Sequence, residues 1–254
     1  MRLFLLPDSF EDDSSIELSG KDYHYLINVL RNKTGTEFPG RDGNGHVFNL
    51  SIISIGENNC VLSIKNSNLE KTVLPKIELY QCICKGKKMD LIIRQATEAG
   101  ISKIIPVNSD FAVAKLEKDN TAKIERWNKI TREAIQQSGS TVNTKICSPI
   151  NIDKIKELSY SDSSTDVEKI GLFFHQEKLD TGTIHEYLST KPKSISLLIG
   201  PEGGLSEREI EVLKIRKFKS VYLKTNILRA ETAAIYAVSA VQTILLESEN
   251  WILK

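Results

Sequence analysis

The sequence has few cysteines, no long apolar run and no large excess of charge of either sign. Its four Cys, at positions 60, 82, 84 and 147, show no spacing typical of a metal site, so we expect reduced thiols and no bound metal. No apolar run approaches the roughly 18 residues of a membrane-spanning helix. The apolar start, residues 1–6, is too short for a signal peptide. These absences predict a cytoplasmic protein with no membrane or metal partner.

The charge is divided unevenly along the chain. Residues 1–70 hold 6 Lys and Arg against 10 Asp and Glu, a net charge of −4, whereas residues 71–254 hold 28 against 23 and carry +5. Neither part has the strong basic excess that indicates a nucleic-acid-binding domain, so composition alone gives no sign of an RNA partner. The length of 254 residues predicts two domains and a sizeable buried core.

One glycine-rich stretch organises the rest of the chain. Residues 195–199 form an apolar run that predicts a short buried strand, which ends at Gly200. Two more glycines follow, and Ser206 with Glu209 has the spacing of a capping box at a helix start. In a parallel sheet, a loop at the carboxyl end of a strand binds ligands, and glycines let backbone N–H groups approach them. A tight turn without a ligand is the alternative interpretation.

A second stretch has the same organisation. Residues 223–234 (LKTNILRAETAA) predict a strand end, an irregular segment and a helix that begins near Glu231. The glycine-rich stretch is neither a Gly-Lys-Ser/Thr phosphate loop nor a Gly-x-Gly-x-x-Gly dinucleotide motif. Together, LIGPEGG and ILRAETA closely resemble the cofactor-binding motifs of the SPOUT RNA methyltransferases. Within that superfamily they resemble the RsmE family, which methylates N3 of a uridine in small-subunit ribosomal RNA.

The two parts of the chain predict different folds. Residues 1–70 contain a glycine-rich hairpin turn at 42–45, an alternating strand at 47–55 and a helix with Ser19 as its N-cap, which predict a small β-rich domain. In residues 71–254 strands and helices alternate, which predicts a mainly parallel α/β sheet. The resemblance implies that the first domain is a PUA-like RNA-binding barrel. It implies that the second is a SPOUT methyltransferase domain with a C-terminal trefoil knot that acts as a homodimer.

Three further segments carry the resemblance and imply RNA contacts. Residues 24–31 (HYLINVLR), residues 85–90 (KGKKMD) and the pair Arg126-Trp127 are similar to segments of the family's two domains. The candidate RNA-binding residues are His24, Arg31, Lys85, Lys87, Lys88 and Arg126. Lysines at a helix N-terminus oppose the helix dipole, and contact with RNA phosphates would explain them. An exposed helix face and a solvated charge cluster are the alternative interpretations.

The resemblance also implies that S-adenosylmethionine is the cofactor and that loops of the second domain bind it. The candidate cofactor-binding residues are Phe174, His175, Leu198, Gly200, Glu202, Gly203, Gly204, Leu223, Ile227, Leu228, Thr232 and Ala233. We expect backbone groups of the glycine loop to bind adenine and ribose and apolar side chains to form the walls. We also expect that a side chain at Gly203 would fill space that the cofactor needs.

Arg229 is the leading candidate for a catalytic residue. The N3–H group of uridine is a weak acid, and a guanidinium beside the base stabilises the anion that develops when the proton leaves. Phosphate binding or a structural ion pair is the alternative role. Glu231 and Glu202 are candidate proton acceptors, although Glu231 also suits the positive end of a helix dipole, and His175 is a candidate general base. Because N3 lies on the pairing edge, the target uridine must be unpaired or flipped out.

Two other functions remain open at this point. One is a ribose 2′-O-methyltransferase of the same superfamily, against which the N-terminal resemblance argues. The other is a non-catalytic RNA-binding factor for ribosome assembly, against which the intact glycines and Arg229 argue. The chain departs from the family pattern at Asn226 and Ser140, where arginines are common. These departures affect the choice of RNA substrate more than the choice of cofactor. The substrate is either naked small-subunit RNA or an assembled small subunit.

Overall fold

The computed structural model describes residues 3–7, 10, 14–43, 45–67, 76–116, 120–158, 169–180 and 182–247. The chain divides into two compact units, which consist of Met1–Thr72 with Ile135–Asn143 and of Val73–Ala134 with Thr144–Lys254. Residues 135–143 therefore belong to the first unit, although the sequence places them well inside the second domain. The domain boundary predicted at residue 70 lies outside the described residues.

A mostly antiparallel sheet forms the first unit. Its strands, in the order β1-β3-β4-β5-β2, are β1 (Phe4–Leu5), β2 (Ser15–Ser19), β3 (Glu37–Arg41), β4 (Val47–Ile55) and β5 (Asn59–Asn66). The side chains of β4 alternate as predicted, with Phe48, Leu50 and Ile52 buried on one face. These side chains pack with Leu26 and Leu62 into the core of this unit. The predicted small β-rich domain is confirmed.

The helical segment of the first unit differs from the prediction in detail. Helix α1 (Gly20–Tyr23) is a single turn that continues as a π-helical segment over His24–Val29. Ser19 is the N-cap residue of this helix, as predicted, but its side chain forms no capping hydrogen bond with any described residue. Leu26 is fully buried, and Arg31 follows the segment with a φ of 55°. The apolar spacing identified a helix, but it did not distinguish an α-helical from a π-helical turn.

A parallel sheet of seven strands forms the second unit, as the alternation of strands and helices predicts. The sheet order is β12-β10-β11-β6-β7-β8, with β9 also paired to β7. The strands are β6 (Lys76–Cys82), β7 (Lys103–Asn108), β8 (Lys145–Ile146), β9 (Ile150–Asn151), β10 (Lys169–Phe174), β11 (Ser194–Ile199) and β12 (Phe218–Val221). All neighbouring strands in this sheet pair in parallel. The central strand β11 is buried over Ile195–Ile199, because helices cover both faces of such a sheet.

The α-helices of the second unit pack against the sheet and contribute side chains to its core. They are α2 (Lys87–Glu98), α3 (Thr121–Ser138), α4 (Ile184–Leu188), α5 (Glu207–Ile215) and α6 (Ala230–Glu247), and the end of α3 belongs to the first unit. Helix α2 buries Met89, Ile92, Ile93 and Ala96, and it packs against the alanine-rich α6. In the described part of the chain no helix is long and apolar enough to cross a membrane.

A buried carboxylate crosslinks three strands of the sheet. Glu78 on β6 is only 6% exposed, and its oxygens accept hydrogen bonds from Lys103 Nζ at 3.0 Å and Lys169 Nζ at 2.6 Å. Burial alone would raise the pKa of Glu78, but the hydrogen bonds from Lys169 and Lys103 outweigh it and lower the pKa below its ordinary value of 4.5. The ionised form of Glu78 is therefore part of the folded structure.

Glu78→Gln is expected to lower the free energy of unfolding at pH 7 by about 1.5–3 kcal/mol, the usual range for hydrogen bonds to a charged group. Because the folded pKa is lowered, this contribution is complete above pH 4.5 and is lost as the pH falls through the folded value. Urea unfolding curves of wild type and variant should therefore converge at acid pH, below the folded pKa of Glu78. The exposed Glu211 on α5 provides a control for the loss of one charge. If Glu78→Gln lowered the free energy of unfolding equally at pH 7 and at acid pH, the stabilising role of the ionised Glu78 carboxylate would be contradicted.

Candidate cofactor site

Three loops meet at the carboxyl ends of neighbouring parallel strands. Strands β10, β11 and β12 end at Phe174, Ile199 and Val221, and β10 lies between the other two. The loops that follow these strands line a cavity of about 720 Å³. This volume lies within the roughly 300–1,000 Å³ of small-molecule sites, and ligands of open α/β sheets bind at this edge. The cavity is therefore the candidate cofactor site.

The glycine loop is anchored at both of its ends. The N–H of Gly204 donates to the carbonyl of Pro201 at 3.0 Å, and Gly204 has a φ of 77° that favours glycine. At the other end, Ser206 and Glu209 form the predicted capping box: the Ser206 hydroxyl accepts from the N–H of Glu209, and the Glu209 carboxylate accepts from the N–H of Ser206. The loop thus has a defined path above the sheet.

A side chain at Gly203 would crowd a neighbouring loop, a contact that the sequence did not show. A Cβ at this position would lie 3.0 Å from Cβ and 3.2 Å from the carbonyl oxygen of Phe111, the third residue after β7. The Cβ would press against the neighbouring loop, and Gly203 also lines the cavity. The expectation that a side chain would fill space that the cofactor needs stays a prediction.

An ion pair joins the glycine loop to the start of helix α2. Lys88 Nζ donates to Glu202 Oε1 at 2.8 Å, and the N–H of Lys85 donates to the same oxygen at 3.4 Å. Burial opposes ionisation of Glu202, but the hydrogen bond from Lys88 outweighs it, and the pKa of Glu202 is lowered. The hydrogen bond with Glu202 in turn raises the pKa of Lys88. A carboxylate with a lowered pKa is a weak base, so Glu202 is better suited to fixing the loop than to accepting a proton.

Arg229 lies in the loop that leads into α6, and it lines the cavity. Its side chain is exposed and forms no ion pair or hydrogen bond with any residue in the described ranges. Its guanidinium is therefore available for a ligand. Ile227, which is 85% exposed, and Lys224 line the same cavity.

Glu231 and His175 occupy more restricted environments than their sequence positions suggested. Glu231 is the second residue of α6 and lines a second cavity, and its buried Oε2 has no partner among the described residues. Its negative charge contributes to the raised pKa of Lys88, although Glu202 contributes more. His175 lines the cofactor cavity, and its Nδ1 accepts a hydrogen bond from the N–H of Glu177 at 3.1 Å. This bond orients the imidazole and occupies one of its two nitrogens.

Most of the candidate cofactor residues surround one cavity. Those that line it are Phe174, His175, Gly200, Glu202, Gly203, Gly204, Leu223, Ile227, Leu228 and Ala233. Leu198 is instead fully buried in the core, and Thr232 lines the second cavity together with Glu231. Sequence reasoning did not assign Tyr222, Lys224 or Asn226 to the site, or Lys88 to the cofactor cavity. Tyr222 adjoins the second stretch, and Lys224 and Asn226 lie within it. No sequence signal places Lys88 beside Glu202.

The candidate RNA-binding residues are exposed in different parts of the chain. His24 and Arg31 lie on the first unit, and the Nδ1 atom of His24 is 3.0 Å from the side-chain nitrogen of Asn28. Lys85 and Lys87 are exposed at the start of α2. Arg126 is paired with Asp90, which also accepts a hydrogen bond from the indole of Trp127 at 3.2 Å. Arg126 is therefore already engaged in a structural contact.

Family models identify the class of protein to which this fold and cavity belong. A model described as an RNA methyltransferase domain matches residues 71–242, and one described as an RNA methyltransferase PUA domain matches residues 18–65. The fold and site are those of an RNA methyltransferase with an N-terminal PUA domain.

The relatives narrow this class to one family. Ribosomal RNA small subunit methyltransferase E of Bacillus subtilis (strain 168) is 31% identical over 257 residues and covers 97% of both chains. Ribosomal RNA small subunit methyltransferase E 2 of Borreliella burgdorferi is 34% identical and covers 89% of both chains. The chain belongs to the ribosomal RNA small subunit methyltransferase E family, which confirms the resemblance read from its motifs.

Solved structures share the fold over nearly the whole chain. A putative methyltransferase from Legionella pneumophila, in complex with bound S-adenosylmethionine, has a TM-score of 0.79 and 26% identity, and covers 95% of this chain and 96% of its own. The methyltransferase E of Neisseria gonorrhoeae has a TM-score of 0.82 at 24% identity, and covers 96% of this chain and 98% of its own. The predicted architecture, a parallel α/β sheet preceded by a PUA-like domain, is confirmed.

Proposed function

We propose that this protein transfers a methyl group from S-adenosylmethionine to N3 of a uridine in 16S ribosomal RNA of the small subunit. The observation that carries the proposal is the cavity in which the two motif stretches and the loop after β10 come together. Membership of the methyltransferase E family supports the cofactor and the ribosomal RNA substrate. The choice of N3 rests on the resemblance of the motifs to that family.

The lining of the cavity fits S-adenosylmethionine. The backbone of Gly200–Gly204 offers N–H and C=O groups for adenine and ribose, and Phe174, Leu223 and Leu228 supply apolar walls. The ion pair between Glu202 and Lys88 fixes the glycine loop on one side of the cavity. When bound, the cofactor supplies an electrophilic methyl group on its sulfonium. The protein's own contribution is to orient this group toward the RNA base, which lowers the entropic part of the barrier.

Methyl transfer to N3 requires charge stabilisation as well as orientation. The N3–H proton leaves the base, the N3 lone pair forms a bond to the methyl carbon, and the carbon–sulfur bond electrons remain on sulfur. Negative charge develops on O2 and O4 of uracil during this process. The guanidinium of Arg229, which has no partner among the described residues, is available to stabilise that charge. We retain Glu231 as the proposed proton acceptor, since its Oε2 has no partner among the described residues.

The second candidate function is ribose 2′-O-methylation, which needs the same cofactor cavity. It does not need an unpaired base, whereas N3 methylation does. We favour N3 because the resemblance includes the PUA domain at residues 18–65 as well as the cavity. We further propose, from the same resemblance, a trefoil knot formed by the cavity loops and a cytoplasmic location.

Nucleoside mass spectrometry tests the proposed function. Small-subunit ribosomal RNA from wild-type cells should contain 3-methyluridine that is absent from a strain lacking this protein, and added protein with S-adenosylmethionine should restore it. Naked RNA and assembled small subunits are compared as substrates in the same assay. If the strain that lacks this protein is instead missing a 2′-O-methylated nucleoside, the protein methylates the ribose and not N3. No change in any methylated nucleoside would contradict the enzyme's assignment to this RNA.

We also propose that the protein is a homodimer and that the outer face of α6 is part of the interface. A cavity of about 690 Å³ lies along α2 and α6, and its lining is mainly apolar. Leu91, Tyr236 and Leu246 are 39%, 47% and 48% exposed on these two helices. A second copy of the chain would cover these side chains, as the family resemblance implies. The interface would then lie beside Glu231, which lines the same cavity.

Tyr236→Glu is expected to convert the dimer to a monomer, because a charge would be buried at the interface without a partner. Light scattering at micromolar concentration should give the mass of two chains for wild type and of one chain for the variant. Ile215→Glu, which places the same charge on an exposed apolar position of α5, is the matched control and should remain dimeric. A monomer mass for wild type would refute the proposed interface.

A further inference from the structure

An exposed aromatic residue lies next to the glycine loop of the cofactor cavity. Phe111 lies in the turn after β7, and 53% of the residue is exposed. Its Cβ and carbonyl oxygen lie against Gly203, which lines the cavity. Phe111 belongs to none of the hydrophobic core clusters formed by the described residues. The position of the ring is therefore not explained by core packing.

The turn that carries Phe111 is held firmly to helix α5. The N–H of Asp110 donates to Glu209 Oε1 at 2.9 Å, and its carboxylate accepts from Ser206 Oγ at 2.6 Å. Arg208 donates two further hydrogen bonds to this carboxylate, at 2.8 and 3.1 Å. An apolar ring on such a fixed backbone is preorganised for a ligand, because little conformational entropy remains to be lost on binding.

The cavity that Gly203 lines combines apolar and cationic groups. Ile227, Lys224 and Arg229 line the cavity on the side of the last motif, and Lys88 lines it beside the glycine loop. Aromatic surfaces beside cations suit single-stranded nucleic acid, since bases stack on the ring and phosphates bind the cations. A contact between two protein chains would instead favour a core depleted of charge.

We propose that Phe111 is a stacking platform for a base of the ribosomal RNA segment that enters the site. The inference rests on the proposed function, because a base methylated at N3 must leave its pair and its stack. Stacking on Phe111 replaces part of the lost stacking and holds the strand beside Gly203. Phe111 is thus a positioning residue for RNA. It has no role in holding the cofactor.

The test measures methyl transfer from radiolabelled S-adenosylmethionine to small-subunit particles from a strain that lacks this protein. Phe111→Ala should lower kcat/KM for the particles by about 5- to 50-fold, as loss of one stacked base does. Phe111→Tyr and Phe111→Trp should stay close to wild type, whereas Phe111→Leu should stay low because it is apolar but has no ring. Cofactor affinity and Tm should be unchanged in all four variants. Val113→Ala, at a neighbouring position that is 73% exposed, is the matched control.

The outcomes separate this inference from the proposed function. An active wild-type enzyme with a normal Phe111→Ala variant would overturn only the stacking role, as would a Leu variant as active as the Tyr variant. Loss of the dimer mass in Phe111→Ala would assign the ring to a contact between copies and would also overturn it. An inactive wild-type enzyme with intact cofactor binding would instead overturn the proposed function.

Discussion

Arg229→Ala is expected to lower the rate of methyl transfer at saturating RNA by about 10²- to 10³-fold, the usual loss for one oxyanion-stabilising donor. The guanidinium lines the cofactor cavity and is not engaged by any described residue, so the enzyme keeps its fold and its cofactor when the side chain is removed. Affinity for S-adenosylmethionine should therefore change little. Single-turnover rates with saturating small-subunit RNA measure the effect on the chemical step.

Two further measurements identify the role of the charge. Arg229→Lys should recover only part of the rate, because an ammonium keeps the charge but loses the planar pair of donors. Raising the pH should partly rescue Arg229→Ala, because more of the uridine is then deprotonated without help. Wild type should respond less to the same change.

Lys224→Ala provides the matched control for these rates. Lys224 is also exposed and cationic, and it lines the same cavity. Its loss should weaken RNA binding, and saturating RNA should restore normal turnover. If Arg229→Ala behaved in this way as well, Arg229 would be a phosphate anchor and its catalytic role would be refuted.

Gly203→Val is expected to weaken S-adenosylmethionine binding by about 100-fold, which corresponds to about 3 kcal/mol of steric strain. The side chain would meet Cβ and the carbonyl oxygen of Phe111, and backbone at this position cannot move aside as a flexible side chain can. The glycine loop must then shift away from the turn after β7, and this shift distorts the cofactor cavity. Isothermal calorimetry measures the affinity, and circular dichroism checks that the variant is folded.

Gly204→Ala separates crowding from backbone strain. Gly204 has a φ of 77°, but a Cβ there would meet no atom within 4 Å. The substitution should cost about 1–2 kcal/mol of stability, the usual penalty for a left-handed residue, and should affect cofactor affinity less than Gly203→Val does. Cofactor affinity of Gly203→Val equal to that of wild type would show that this loop is not the cofactor site.

Local patterns were sufficient for most elements of the second unit. The apolar run at 195–199 became β11, the capping box at Ser206 and Glu209 formed as predicted, and α6 begins at Ala230, one residue before the predicted start. These features depend on residues close together in the chain, and therefore the sequence reveals them. The π-helical turn at His24–Val29 was missed because its apolar spacing resembles that of an α-helix over so few residues.

Several features of the site could not be read from local patterns. Lys88 and Glu202 are 114 positions apart, and only the neighbouring positions of β6 and β11 in the sheet bring the loops that carry them together. The contact between Gly203 and Phe111 depends in the same way on the turn after β7. Leu198 and Thr232 adjoin cavity residues in the chain, yet they point elsewhere, because successive side chains on a strand or helix face different directions.

The sequence by itself determined the family of this protein, the alternation of strands and helices in its second part, and the two motifs that line the cavity. Those properties follow from residue identity and from short-range spacing. The tertiary structure decided which side chains face the cavity, how Glu202 and Lys88 set each other's pKa, and which atoms a side chain at Gly203 would meet. These depend on distances between residues far apart in the chain, and such distances exist only once the sheet has formed.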